Sequence, residues 1–172
     1  AQNRVVGVVA MFARHPLPEL VLEALGSIAN EIAMGIARKR ATEALANERQ
    51  WLRTLVDNLP ARIFFKDPAG RYVLNNRAHL RLLGVPEQAD TLGKTLFDFH
   101  PPELAQGYQS GEQEILSSGV AMSDKEEQVR HRGTGELRWH LTSKVPLRDA
   151  QGQVSGLIGI SHDITERKQA EA

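Results

Sequence analysis

The sequence predicts an α+β fold, in which a five-stranded antiparallel sheet carries short helices on one face and follows a long helix. Between residues 59 and 165 the segments follow the order strand, strand, helices and then three strands. Turns with glycine join the strands in pairs, and residues 19–58 contain no proline and repeat their apolar residues at helical spacing. Strands and helices ordered in this way favour an antiparallel sheet with helices on one side.

The first 18 residues predict the last strand and loop of a domain. Residues 4–13 are apolar and rich in valine, and His15-Pro16-Leu17-Pro18 follows them. This pattern predicts a buried strand that ends at the prolines. Because a single strand is not a stable unit, we expect its sheet to lie upstream, and we expect both ends of the sequence to continue in a longer protein.

Residues 19–58 predict one long helix that links two domains. Apolar residues recur at spacings of three and four, at Leu22, Leu25, Ile28, Ile32 and Ile36 and again at Leu45, Leu52, Leu55, Val56 and Leu59. At 1.5 Å per residue this helix would be about 60 Å long, which is more than one small domain can cover. We therefore expect a homodimer, in which residues 19–58 pair with a second copy as a coiled coil.

Residues 59–165 predict one compact domain, and residues 166–172 start a further helix. Strands at Arg62–Lys66 and Arg71–Asn75 are joined by Asp67-Pro-Ala-Gly70, which has the residues of a tight turn. Short helical segments follow at about 76–83, 95–100 and 103–117. The remaining strands are expected at about 121–131, 136–147 and 153–162, joined by turns at 132–135 and 149–152.

These segments resemble a PAS (Per-ARNT-Sim) sensory domain along their whole length. The motifs that carry the resemblance are, in order, Phe65-Lys-Asp-Pro-Ala-Gly-Arg-Tyr72, Asn75-Asn76, Leu83-Gly84, Phe99-His-Pro-Pro-Glu-Leu104, Gly135-Glu136, Lys144-Val-Pro-Leu-Arg-Asp149 and Asp163-Ile-Thr-Glu-Arg-Lys168. The resemblance implies a PAS fold with strand order 2-1-5-4-3, curved around a small pocket.

The start of the chain carries a second resemblance. Its strand, its proline-containing loop and the helical pattern of Leu20–Arg40 are similar to the closing strand and exit helix of a GAF sensory domain. Together the two resemblances imply a PAS domain that follows a GAF domain inside a multidomain sensor of the bacterial type.

The composition excludes several classes of function. Lys+Arg and Asp+Glu both total 21, so the net charge is zero. This argues against a protein that binds nucleic acid or anionic lipid through its charge. The absence of cysteine excludes a covalent cysteinyl-flavin photoswitch and fits a reducing compartment. No apolar run approaches the roughly 18 residues of a membrane span. We therefore expect a cytoplasmic protein without direct membrane contact.

The end of the last predicted strand carries the candidate signal-transfer junction, Asp163, Ile164, Thr165 and Glu166. A strand that continues into a charged helix couples the sheet mechanically to whatever follows the helix. Asp163 and Glu166 fit a capping box, in which the aspartate accepts N–H bonds at the helix start and the glutamate reaches back. The pattern alone is that of an ordinary helix cap. The PAS resemblance implies a signalling role, because the family uses Asp-Ile-Thr at this junction.

A ligand pocket would lie between the sheet and the short helices. The candidate lining residues are apolar, aromatic or polar side chains on these elements, namely Phe64, Lys66, His79, Leu83, Phe97, Tyr108, Trp139, Leu141, Ile158 and Ile160. Strand alternation places Trp139 and Leu141 on one face and His140 on the other, and the sequence does not decide which face meets the pocket. For each aromatic residue, core packing is the alternative to ligand contact.

No metal, cofactor or enzyme motif stands out. No two of the six histidines have the i, i+4 spacing of a helical zinc site. Some PAS domains hold haem through a histidine on the long helix, and residues 103–117 contain none. Phosphate-binding loops, nucleophile elbows and dinucleotide fingerprints are also missing. We therefore predict no metal, no cofactor and no catalytic residue, and we leave a small-molecule ligand open.

The sequence predicts a sensory PAS module. A change of ligand or dimer packing would pass through the linker helices to an output domain downstream in the same chain, either a histidine kinase or a cyclic-dinucleotide enzyme. One alternative is a ligand-free PAS domain that only dimerises and transmits motion. A second alternative is a haem- or flavin-binding redox or gas sensor.

Overall fold

A computed structural model of the chain describes residues 5, 7, 8, 10, 12–130 and 135–171. The chain divides into two compact units, residues 1–53 and residues 54–172. The first unit contains most of helix α1 (Glu19–Asn58). The second unit contains a five-stranded sheet and its helices.

Helix α1 exposes its apolar side chains. The helix begins where the Pro18 carbonyl accepts hydrogen bonds from the N–H groups of Val21 and Leu22. None of its described residues is buried, and Ile28 and Ile32 remain about half exposed, at 52% and 48%. A row of exposed apolar side chains on a long helix is typical of a surface that another helix or a lipid phase covers.

The length and apolar composition of α1 also meet the criteria for a membrane-spanning helix. This differs from the expectation that no segment would do so, because the few charges between residues 20 and 37 dilute the apolar residues only slightly. A single helix of this kind is weak evidence, since core helices and signal sequences meet the same criteria.

The predicted terminal strand at residues 4–13 falls partly on residues 4, 6, 9 and 11, which lie outside the described residues. The described residues among them carry no strand assignment. The GAF origin of this segment and the division of the chain at residues 18, 58 and 165 therefore stay predictions.

The second unit has the predicted PAS fold. Its strands are β1 (Arg62–Lys66), β2 (Tyr72–Asn75), β3 (Met122–Arg130), β4 (Leu137–Arg148) and β5 (Val154–Asp163). All pairs are antiparallel and the sheet order is β2-β1-β5-β4-β3, which confirms the predicted order 2-1-5-4-3. The helices are α2 (Arg77–Leu83), α3 (Pro102–Ser118) and α4 (Thr165–Glu171), with 3₁₀ turns at Gln88–Asp90 and Leu96–Asp98.

Two hairpins close with the same Asp-x-x-Gly device. At the β1–β2 turn, Asp67 Oδ1 accepts hydrogen bonds from the N–H groups of Ala69 and Arg71. At the β4–β5 turn, Asp149 Oδ1 accepts from Gln151 and Gln153 in the same way. Gly70 and Gly152 have φ of 77° and 80°, which glycine adopts without the strain of a Cβ atom. These local bonds fix the two hairpin registers.

The helices cover one face of the sheet and form the core there. Phe64, Tyr72, Leu83, Phe99 and Leu157 make one buried apolar cluster. The Tyr72 ring packs edge-on against both Phe64 and Phe99, with centroid separations of 6.0 Å and 5.8 Å. Each such pair adds to the hydrophobic free energy of burial.

The Asn76 side chain joins three elements at one fully buried point. Its Oδ1 accepts hydrogen bonds from the N–H groups of Ile63 in β1 and His79 in α2. Its Nδ2 donates to the carbonyls of Ala61 and Val56, the second of which belongs to the last turn of α1. The amide therefore caps α2 and ties it to both β1 and the end of α1.

We predict that Asn76→Ala destabilises the domain by about 3 kcal/mol or more, because it leaves buried N–H and C=O groups without partners. Chemical denaturation measures this change in unfolding free energy. The matched control is Asn58→Ala, which removes one exposed bond to the Thr54 carbonyl and should cost less than about 1 kcal/mol. Equal losses in the two variants would contradict the central position of Asn76.

Candidate functional site

The inner face of the sheet, which meets the helices, is unusually polar. Strand alternation turns Arg62, Phe64 and Lys66 of β1 to this face. The register places Phe64 opposite Gly159, and Gly159 opposite Lys144. Arg62 is opposite Ser161 in the same way. Charged and hydroxyl side chains therefore occupy positions that an ordinary sheet would fill with apolar ones.

Gly159 makes room for an aromatic ring on this face. A Cβ atom at this position would collide with the Phe64 ring, so the ring lies directly against the β5 backbone. A larger residue would push Phe64 toward the helices. The missing side chain therefore leaves space between the sheet and α2.

A small cavity of about 70 Å³ lies between the sheet and helices α2 and α3. Both helices and all strands except β2 contribute to its wall. The lining residues are Arg62, Phe64, His79, Leu82, His100, Tyr108, Glu112, Glu127, Val129, Thr142, Lys144 and Ser161. Such a space holds several water-sized groups.

A buried carboxylate beside the cavity binds two lysines. Glu112 of α3 accepts from Lys66 Nζ at 2.7 Å and from Lys144 Nζ at 3.2 Å. The Lys66 side chain is fully buried and that of Glu112 is 4% exposed. Because the lysines belong to β1 and β4, this one carboxylate holds α3 against two strands that are not neighbours.

Burial changes the protonation of Lys66. Removal from water lowers its pKa to about 8, although Glu112 acts in the opposite direction. Its ammonium group also lies 4.5 Å from the centre of the Tyr72 ring, which favours the cation. At neutral pH Lys66 therefore remains a cation beside Glu112.

Two residues that line the cavity, His79 and Arg62, have buried polar atoms with no hydrogen-bond partner among the described residues. Both ring nitrogens of His79 are buried and unbonded, as is Nη1 of Arg62. Burial and the neighbouring Lys66 and Arg62 cations lower the pKa of His79 to about 3, so its ring is neutral at physiological pH. Burial also lowers the pKa of Arg62, whose guanidinium nevertheless stays charged.

The structure brings some predicted pocket residues together and separates others. Phe64, His79 and Tyr108 line the cavity. Lys66 is not among the lining residues and donates instead to Glu112. Leu83 belongs to the apolar core. Phe97 lies outside, in a wider groove beside Leu104. By strand alternation, the opposite face of the sheet holds Trp139, Leu141, Ile158 and Ile160.

Hydrogen bonds to the backbone of Trp139 join the predicted junction to β4. The Ile164 N–H donates to the Trp139 carbonyl at 2.8 Å, and the Trp139 N–H donates to Thr165 Oγ1 at 3.0 Å. Asp163 Oδ1 accepts from the Thr165 N–H two residues further on. This is an Asx turn, and no bond from Glu166 back to the Asp163 N–H is found within residues 135–171. Asp163 thus starts the helix without forming the predicted capping box.

Helix α4 also docks through charge on the neighbouring strands. Lys168 Nζ contacts Glu126 of β3 at 2.6 Å and lies 5.6 Å from the centre of the Trp139 ring. At the helix start, Arg138 Nη1 donates to Asp163 Oδ2 at 3.3 Å. Partial burial raises the pKa of Asp163, but hydrogen bonds from Thr165 and Arg138 outweigh it and hold the pKa below its usual range. Asp163 is therefore a carboxylate at neutral pH.

A row of polar contacts runs from the cavity wall to the junction. Thr142 Oγ1 donates to Ser161 Oγ at 3.1 Å, and both residues line the cavity. Ser161 Oγ is 3.1 Å from Nδ1 of the fully buried His140. His140 Nε2 lies 4.0 Å from Asp163 Oδ2. These contacts form a continuous series of polar side chains from the cavity wall to the start of α4.

Sequence reasoning missed several residues of this site. Arg62, Glu112, Thr142, Lys144 and Ser161 were not among the candidates. The available signal was strand alternation, since Arg62 and Lys66 share the face of Phe64 in a strand that is otherwise apolar. The residues next to Glu112 along α3, Gly111, Gln113 and Glu114, gave no indication that this carboxylate is buried.

The comparisons with known proteins agree with the fold. A family profile described as "PAS fold" matches residues 56–169. The "Methanogenesis regulatory histidine kinase FilI" of Methanothrix harundinacea is 35% identical over 128 residues, which are 74% of this chain and 14% of the relative. A "Diguanylate cyclase" of Vibrio cholerae is 30% identical over 133 residues, which are 76% of this chain and 41% of the relative. The chain therefore spans less than half of each of these proteins.

A solved structure of a PAS domain is also similar to this chain. The PAS domain from Bordetella pertussis BvgS is 27% identical and has a TM-score of 0.57, over 72% of this chain and 91% of that chain.

We predict that Glu112→Gln destabilises the domain by about 3 kcal/mol or more, because it leaves two lysines buried without a counter-charge. Lys66→Met keeps the Glu112–Lys144 pair and should stay within about 1 kcal/mol of the wild type. Denaturation measures both, and Glu114→Gln, an exposed change on the same helix, is the control.

The difference in unfolding free energy between the wild type and Lys66→Met should depend on pH. The pKa of Lys66 falls from its ordinary 10.5 to about 8 on folding, so the unfolded chain binds more protons between these values. The wild type should therefore gain stability relative to Lys66→Met as the pH rises through this interval. A constant difference would contradict the buried charge.

Proposed function

Because the chain belongs to the PAS fold family, we propose that it is the sensory module of a multidomain signalling protein and that it passes changes at its cavity through α4 to an output domain. A role in sensory signal transduction follows from the relatives, which are parts of a regulatory histidine kinase and a diguanylate cyclase. The proposal adds the direction of transmission, from the inner face of the sheet to the helix that begins at Thr165.

The contacts at the junction carry this proposal. Ile164 and Thr165 bond both the carbonyl and the N–H of Trp139, so a shift of β4 along β5 acts directly on the first turn of α4. Asp163 accepts from this turn and from Arg138 of β4. A ligand changes the output only if it binds one arrangement of these strands more tightly than the other.

A second candidate function is ligand-free dimerisation and transmission. The exposed apolar row of α1 favours it, because a second copy of the helix would cover that row. In this case a movement of the protein upstream of α1 would pass along α1 to the PAS domain and from there to α4. Both functions use the same junction at the start of α4. They differ in whether a ligand binds in the cavity.

The remaining parts of the proposal concern the longer protein. We propose a GAF domain upstream, a histidine kinase or a cyclic-dinucleotide enzyme downstream, and a location in the cytoplasm. The proposed module has no catalytic activity of its own. It needs no haem or flavin, and an absorption spectrum of the purified protein tests that point.

We predict that Asp163→Ala leaves the PAS domain folded and uncouples it from its output. The change removes the Asx turn and the bond from Arg138, while the core cluster lies elsewhere. Output activity of the full-length protein is measured with and without stimulus, and circular dichroism checks the fold.

The control for this experiment is Asp67→Ala, which removes the equivalent turn bonds at the β1–β2 hairpin and leaves β4 and β5 unchanged. It should retain a stimulus response. If Asp163→Ala shows the output and response of the wild type, the junction has no part in transmission.

We predict a dimer through α1. Sedimentation of the wild-type chain should give a dimer, and Ile28→Glu combined with Ile32→Glu should give a monomer, because charges would enter the apolar contact. Glu31→Gln, on the same helix, should leave the dimer intact. A wild-type chain that sediments as a monomer at high concentration would refute this interface.

A further inference from the structure

The unbonded atoms around the cavity are costly unless something binds them. A buried polar group without a partner destabilises the folded state by roughly 1–3 kcal/mol. His79 is 6% exposed and presents one donor and one acceptor nitrogen, neither of which is bonded. The ring is held in this position by Phe64 at 4.9 Å and Tyr72 at 5.8 Å between centroids. Packing therefore fixes the ring while its nitrogens lack protein partners.

Basic side chains contribute to the cavity wall and to the ion-pair cluster next to it. The ionised side chains of its wall are Arg62, Lys144, Glu112 and Glu127, and Lys66 lies behind the wall on Glu112. Lys66 and Lys144 share the one buried carboxylate. Arg62 forms no ion pair among the described residues. Three of these five side chains are basic and two are acidic, and the Asp163 carboxylate also acts on Arg62 from the start of α4. A ligand anion on Arg62 would therefore compete with Asp163 for the guanidinium.

The size and lining of the cavity limit the ligand. A volume of about 70 Å³ admits a molecule of a few heavy atoms and excludes a nucleotide or a flavin. Phe64, Leu82 and Val129 supply an apolar wall for a short carbon chain. The guanidinium of Arg62 matches the planar geometry of a carboxylate, to which arginine donates two parallel hydrogen bonds.

We propose that the cavity binds a small carboxylic acid anion, with its carboxylate on Arg62 and its short apolar part against Phe64 and Leu82. The His79 ring donates or accepts the hydrogen bond that orients this ligand. The inference rests on the proposed function in one respect, since the bound acid would be the input of the sensor. Binding itself is measured without any output domain.

Titration of the isotopically labelled chain, followed by NMR, tests the site. The probes are acetate and propionate, with acetamide and propionamide as neutral molecules of the same shape and inorganic phosphate as a different anion. Acetate and propionate should cause saturable shifts of the backbone N–H signals of β1, β4 and α2. Acetamide and propionamide should not. Equal saturable shifts from acetamide and propionamide, or no saturable shift from either acid at millimolar concentration, would overturn the proposal. Shifts from phosphate alone would overturn the carboxylate assignment.

Variants locate the binding groups. Arg62→Gln should weaken acid binding by about tenfold or more, because it removes a charge-assisted hydrogen bond. Arg81→Gln, an exposed arginine on α2, should bind as the wild type does. His79→Phe keeps the aromatic packing and removes both nitrogens, and it too should weaken binding. Arg62→Gln with a folded spectrum and wild-type affinity would overturn the proposal. This failure would leave the Asp163→Ala result unaffected, so it is distinct from a failure of the junction.

Discussion

The buried carboxylate of Glu112 holds together the parts that enclose the cavity. It reaches from α3 to both β1 and β4, through Lys66 and Lys144. Strands β1 and β4 are separated by β5 in the sheet, and the contacts that cross this distance on the inner face are ionic where a typical core is apolar. A buried ion pair gives little net stability, because desolvation offsets the attraction between the charges. Its effect here is geometric: it fixes the height of α3 above the sheet and so preserves a space that apolar side chains would fill.

The same face of the sheet connects this space to the helix that leaves the domain. Arg62 and Ser161 lie opposite each other at the cavity, and Asp163 follows Ser161 by two residues, about 7 Å further along the strand. Asp163 is also a charge that favours the protonated form of Arg62. A ligand anion on Arg62 would compete with this attraction. An anion bound in the cavity would therefore alter the electrostatics of the group that starts α4 without any movement of the strands.

The sequence predicted the fold well because the fold depends on local signals. Turn residues such as Asp67 and Asp149 fix the hairpins, and proline and glycine mark the helix ends, so strand number and helix order can be derived from the residues alone. The site was less predictable, because the apolar face of β4 is not the face that meets the helices. The apolar row with Trp139 and Leu141 was an equal candidate for the cavity, yet the row with Thr142 and Lys144 meets it. That choice depends on Glu112, a residue more than 25 positions away, and no local pattern reveals such a pairing.

The two proposed inputs meet at one helix. The last turn of α1 reaches α2 through two contacts, from Asn76 to the Val56 carbonyl and from the Arg77 N–H to Asp57 Oδ1. Helix α2 in turn presents His79 and Leu82 to the cavity. A displacement of the end of α1 would therefore move the cavity wall, and a ligand that fixes His79 would hold the end of α1. Because a coupling free energy acts equally in both directions, dimer packing and ligand binding need not be alternative signals. In the proposed mechanism both would bias the same element, and the sheet would transmit the result to α4.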